Sequence, residues 1–191
     1  MRRDELEPLI RAAGAILRVD HVYIIGSQAI LGTFDETRLP AEATLSQEAD
    51  IIPPHDADER LADLIDGTLG EGSPFHDAFG VYADGVALGT ARLPQGWQAR
   101  LVAVSNENTQ GVVGYCLDPE DLLVSKYLAH RVKDLSFCRA VIRAGLVDGH
   151  TVAARISTAP GTPDEHRLAL AALYRDLGET PPGIPGPGPV S

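Results

Sequence analysis

The sequence has little cysteine, little positive charge and no long apolar run. Its two cysteines, Cys116 and Cys138, stand 22 positions apart. That excludes a disulfide framework and a CxxC centre, and it points to a reducing compartment. The six histidines make neither an HxxxH nor an HExxH spacing, which argues against a histidine-based metal centre. Neither Ser73 nor Ser105 sits in a GxSxG turn, so hydrolase chemistry has no support. No apolar stretch approaches the ~20 residues that a membrane span needs. The opening Met1-Arg2-Arg3-Asp4-Glu5-Leu6-Glu7 turns acidic where a signal peptide would carry its apolar region. The expected location is the cytoplasm.

Basic residues number 16 against 27 acidic ones, a net charge of −11. Such a chain does not coat DNA or an anionic membrane, because both require neutralisation of phosphate. What is present is a hydrophobic content of 44%, enough for a sizeable core in a chain of 191 residues. The charge is uneven. Residues 1–120 hold 8 basic and 20 acidic side chains, whereas residues 121–191 hold 8 and 7. Between 126 and 143 lie five cations, Lys126, Arg131, Lys133, Arg139 and Arg143, with Asp134 as the one acid. On composition alone this stretch reads as a solvated helix face.

Apolar spacing predicts a first helix over 4–18, then a buried strand His21–Ile25 ending at Gly26, with a helical start at Gln28–Leu31. Residues 32–45 read as a loop, and Ala49–Ile52 as a second strand stopped by Pro53-Pro54. A helix is predicted from Asp58 to Leu69. Strands are expected over 79–87, 100–104 and 111–116. Trp97 reads as a core anchor or loop clamp. Asp118-Pro119 with Asp121 marks a helix start, a second helix follows to a stop at Gly145, and Thr151 and Thr162 begin two more. The proline-rich and glycine-rich stretch 181–191 is expected to be a disordered tail. No internal repeat is present. The order predicts one α+β domain over 1–180, a mixed sheet flanked by helices, with its core at 20–147 and C-terminal helices over 148–180.

Three elements can carry chemistry. Gly26-Ser27 directly follows a buried strand, where glycine admits a phosphate close to backbone N–H groups and serine adds a donor. By itself it also reads as an ordinary strand-end turn. In Glu48-Ala49-Asp50, residues i and i+2 of a strand point to one face, so two carboxylates converge. Converging carboxylates repel unless a cation lies between them, and Mg²⁺ held with nucleotide phosphates is the usual partner. The last element is the run from Asp118 to Asp134. There Lys126 lies on a largely apolar helix face, from which its ammonium can snorkel to a pocket edge, with Arg131 and Lys133 at the helix end. Asp134 can accept a hydrogen bond from an incoming hydroxyl, or hold Lys126 or Arg131. The same residues also read as a helix-end salt-bridge cluster.

Taken in order, Gly26-Ser27, Glu48-x-Asp50 and Lys126…Arg131-x-Lys133-Asp134 resemble the minimal nucleotidyltransferases of the DNA polymerase β type. They are similar in particular to bacterial families of unknown function allied to AbiEii-type and MenT-type toxins. The resemblance covers about residues 20–147 and implies Mg²⁺-dependent transfer of a nucleoside monophosphate from an NTP to an RNA or protein hydroxyl. A toxin–antitoxin setting and a cognate antitoxin partner come with it. It implies that Gly26 and Ser27 hold the triphosphate with Lys126, Arg131 and Lys133, that Glu48 and Asp50 bind metal, and that Lys126 and Asp134 act with them in catalysis. The chain departs from the pattern in three places. Glu48 stands where relatives usually have Asp, the span from Ser27 to Glu48 is long, and no third carboxylate is evident, with Asp84 and Glu107 the only strand-adjacent candidates. These departures leave a second reading, a catalytically inactive member that binds a nucleotide or a partner protein in regulation.

Overall fold

The computed structural model describes residues 1–55 and 60–182. Among them are helix α1 (Arg3–Leu17), strand β1 (His21–Ile25), the short helix α2 (Ala41–Thr44) and strand β2 (Glu48–Ile52). Helices α3 (Arg60–Leu69) and α4 (Pro74–Phe79) precede strands β3 (Tyr82–Gly85), β4 (Val102–Val104) and β5 (Val113–Cys116). Four helices follow among the described residues: α5 (Pro119–Ala129), α6 (Val132–Arg143), α7 (Gly149–Ile156) and α8 (Pro163–Leu177). This is the α+β architecture expected from the sequence. None of the described helices is long and apolar enough to cross a membrane.

The sheet runs β3-β2-β1-β5-β4. β1 pairs antiparallel with β2 and parallel with β5, while β2 pairs parallel with β3. Alternation divides each strand between two faces. One face carries Val22, Ile24, Ile51 and Ala83, all fully buried, against Leu9 and Ile10 of α1 and Ile65 of α3. Gly114 allows this close approach, since a Cβ there would run into the Ile10 side chain. The other face carries Tyr23 and Ile25 from β1, Glu48, Asp50 and Ile52 from β2, and Asp84 from β3.

Helices α5–α8 pack on one another beside the turn that follows β1. Polar ties fix them. The fully buried Asp121 accepts from both Arg100 and Arg155, and Asp176 of α8 accepts from the Tyr127 hydroxyl of α5 and from Arg139 of α6. A buried carboxylate needs such partners to stay charged.

Several expectations are corrected. The strand predicted over 79–87 is shorter, because Ser73 caps and Pro74 starts α4, which consumes Phe79 before Gly80 ends it at positive φ. The expected loop 32–45 contains a single 3₁₀ turn at Glu36–Arg38 and α2. The helical start at Gln28 is a 3₁₀ turn, Ser27–Gly32, rather than an α-helix. The helix expected at Thr151 begins two residues earlier, at Gly149, because Asp148 supplies the cap. The predicted helix start at Asp58 and the predicted tail from residue 183 onward lie outside the described residues.

Candidate active site

The acidic strand comes first. In β2, Glu48 and Asp50 share a face as their spacing requires, and parallel pairing sets Asp84 of β3 directly opposite Asp50. One oxygen from each of Glu48, Asp50 and Asp84 lies within 4.8 Å of the others. Asp84 is therefore the third carboxylate that the sequence left without a firm position. Glu107, the other candidate, belongs to a short turn capped by Asn106 and packed on α1. The reason is topological: a β2–β3 register is a non-local property that neither strand's own residues specify.

Electrostatics follow from the geometry. Burial, reinforced by the neighbouring Glu48 carboxylate, pushes the Asp50 carboxyl up to about 7, while Lys126 pulls the other way. Asp84 is also raised, by burial first and Glu48 second. The Tyr82 hydroxyl, 3.4 Å from the Glu48 carboxylate, is pushed up to about 12 by burial and that charge. Three converging carboxyl groups, with Asp50 and Asp84 raised in proton affinity, could hold a cation. The donors are all carboxylate oxygens, which suits a hard divalent ion rather than a thiophilic one. The cradle is tight as well. Gly26 turns at φ +66, and a Cβ at that position would collide with the Asp50 carboxylate.

Beside the acids stands a cation. Lys126 is only 7% exposed, and its Nζ donates to Ser27 Oγ at 3.0 Å and to Asp134 Oδ1 at 2.9 Å. It also lies over the Phe137 ring, 4.7 Å from the centroid. Asp134, 1% exposed, takes Arg131 Nε on its second oxygen at 2.5 Å. Burial alone would raise the Asp134 carboxyl, but the hydrogen bonds from Arg131 and Lys126 outweigh it and hold the group below the usual carboxylate range. Both of its oxygens are thus engaged in fixing cations, which is the second of the roles open to it from sequence. The snorkelling expected of Lys126 is met: its stem is buried along α5 and its amine emerges at the Gly26-Ser27 turn.

A cavity of about 430 Å³ collects these groups. Gly26, Ser27, Glu48, Asp50, Lys126, Arg131, Lys133 and Asp134, which are all the site residues expected from sequence, line it together. The long span from Ser27 to Glu48 is used rather than wasted, since α2 and the residues after it contribute Glu42, Leu45 and Ser46 to the wall. Those three carried no sequence signal. Leu45, largely exposed beside the cavity, is unusual for its size and was open to notice only once the wall was formed.

No curated protein and no solved structure is detectably similar to the chain. A family model described as "nucleotidyltransferase of unknown function (DUF6036)" matches residues 5–169, which include both the acidic strand pair and the Lys126 helix. The chain belongs to that nucleotidyltransferase family.

Proposed function

We propose that this protein transfers a nucleoside monophosphate from an NTP to a hydroxyl of an RNA or a protein, with Mg²⁺ held by Glu48, Asp50 and Asp84. The observation that carries the reading is the Lys126 amine at 3.0 Å from the Ser27 hydroxyl, in the same cavity as Glu48 and Asp50, whose carboxylates converge with that of Asp84. Phosphoryl chemistry of this kind is mostly positioning and charge neutralisation. The Gly26-Ser27 turn and Lys126 offer donors to the triphosphate, and Arg131 and Lys133 extend that positive wall toward solvent. Asp134 keeps Lys126 and Arg131 in place without entering the reaction. Mg²⁺, when bound, supplies neutralisation of phosphate charge and polarisation of the reacting phosphoryl group.

The completed triad favours an enzyme over an inactive binder, because a regulatory nucleotide-binding protein has no need of a third acid. The toxin–antitoxin setting, with a cognate antitoxin as partner, and the kinship to AbiEii-type and MenT-type proteins belong to the same reading and are supported by the motif order alone. The test is incubation with each α-³²P-labelled NTP, Mg²⁺ and total RNA or lysate. Label should pass to an RNA or protein band with the wild-type chain and not with Asp84→Asn. Absence of both label transfer and NTP binding would overturn the assignment.

A further inference from the structure

Two cavities open on the sheet face that carries the carboxylates. The cationic one has been described. The second, of about 530 Å³, opens one strand repeat further along the same sheet face, where Ile52 follows Asp50 on β2 and Val86 follows Asp84 past the end of β3. The ladder continues there, since Val86 N–H donates to Ile51 C=O at 2.9 Å. Ile52 pairs with Tyr23, whose ring meets that of Trp97 edge-on at 6.3 Å between centroids. Among the described residues that line this cleft there is no Lys, Arg, Asp or Glu. Its rim is open, with Leu88 49% exposed and His55 exposed.

We propose that this cleft receives the acceptor, and that the acceptor is a tyrosyl side chain of a protein, its ring over Ile52 and Val86 and its hydroxyl toward the carboxylate row. The proposal rests on the nucleotidyltransferase reading and narrows its acceptor. Charge decides against RNA: an RNA end brings a phosphate with each nucleotide into a cleft that has no cation among its described lining residues, on a chain of net charge −11. Shape decides against a serine or threonine. Two strand residues span roughly 6.6 Å, so a group anchored at Ile52 must have a body of ring length to present its hydroxyl near Asp50 and Asp84. Apolar and aromatic walls with few polar groups are what a planar ring requires, and the open rim admits a ring attached to a chain. In the transfer, the phenolic oxygen bonds to the α-phosphorus of the NTP and the bond from that phosphorus to the bridging oxygen of the β-phosphate breaks. Pyrophosphate leaves, the product is a tyrosyl–nucleotide phosphodiester, and the phenolic proton passes to solvent water.

Trp97 is the one tryptophan in the sequence, so its fluorescence reports on the cleft. The experiment uses the full chain with Mg²⁺, α-labelled NTPs and four probes: the blocked peptides acetyl-Gly-Tyr-Gly-amide, its Phe and Ser counterparts, and a short RNA with a free 3′-hydroxyl. NTP binding is followed separately by calorimetry. The Tyr peptide should be labelled and should shift Trp97 emission saturably. The Phe peptide should shift the emission and inhibit labelling, whereas the Ser peptide and the RNA should do neither. Val86→Phe, which narrows the cleft, should raise KM for the Tyr peptide by about tenfold or more, with NTP affinity unchanged within about twofold. Leu88→Arg, at an exposed rim position that tolerates substitution, should weaken the Tyr peptide in the same sense. NTP binding without any peptide effect, or labelling of the RNA or Ser peptide in preference to Tyr, overturns the acceptor assignment and leaves the nucleotide site standing. Absence of NTP binding overturns both.

Discussion

The Lys126 ammonium stands 3.0 Å from the Ser27 hydroxyl, joining two residues separated by 99 positions of chain. This contact couples α5 to the turn after β1, and it sets the distance between the positive wall and the carboxylates. Because Lys126 is nearly buried and shares Asp134 with Arg131, its charge is fixed in direction as well as in place. A triphosphate offers more negative charge to such a point than a monophosphate does.

Lys126→Met should therefore weaken NTP binding by about tenfold or more and NMP binding by much less, as measured by calorimetry. It should also cost ~1–3 kcal/mol of stability, since Asp134 would keep only Arg131 for its buried charge. Equal losses for NTP and NMP would mean that Lys126 serves the fold alone.

The carboxylates make an opposite prediction about stability. Asp50 and Asp84 repel in the metal-free protein, and burial deepens the cost. Asp50→Asn should raise the melting temperature in chelator while abolishing the stabilisation that Mg²⁺ or Mn²⁺ confers. Asp84→Asn should behave likewise, and Glu107→Gln should change neither quantity. A metal response that survives Asp84→Asn would remove Asp84 from the site.

That Asp84 needs testing at all reflects what a sequence can and cannot encode locally. Gly26-Ser27, Glu48-x-Asp50 and the Lys126 helix were legible because each depends on local geometry: a strand-end turn, a two-residue period, a helix face with its cap at Asp118. Asp84 depends on which strand lies beside β2 and in what register, and β3 is only four residues long. Its expected boundaries were also too wide, since Phe79 has the side chain of a strand residue but follows the Ser73 cap and Pro74 into α4. The wall formed by Glu42, Leu45 and Ser46 was invisible for the same reason, because residues 32–45 read as a connection and acquire meaning from what they fold against. The apolar cleft is assembled from β1, β2, the end of β3 and the Trp97 turn, and no one of these announces it.

The pH dependence has a definite sign. The folded-state value of Asp50, about 7, lies above the ~3.9 of an unfolded aspartate. Between those values the folded metal-free protein holds a proton that the unfolded chain has released. This contribution to stability is therefore lost as pH rises through the window, by up to ~4 kcal/mol once Asp50 is ionised. A bound divalent cation reverses the preference, so the thermal shift produced by Mg²⁺ or Mn²⁺ should be larger at about pH 8 than at about pH 5.5. The difference between wild type and Asp50→Asn isolates this residue from the other titrating groups. An equal metal-induced shift at both pH values would show that Asp50 does not exchange a proton for the ion.

Gly26 provides the most severe test of the cradle. It combines positive φ with a position from which any Cβ meets the Asp50 carboxylate. Gly26→Ala must either displace Asp50 or distort the turn that presents Ser27 to Lys126, and each route damages one half of the site. The expected cost is ~1–3 kcal/mol in stability, with loss of both the metal-induced thermal shift and the preference for NTP over NMP. Gly72, which also has positive φ but has no atom within 4 Å of the position a Cβ would take, is the matched control. Gly72→Ala carries the backbone strain without the collision, so it should lose stability and keep both ligand responses. If the two variants retain the metal and nucleotide responses alike, the close approach of Gly26 to Asp50 has no part in holding the ion.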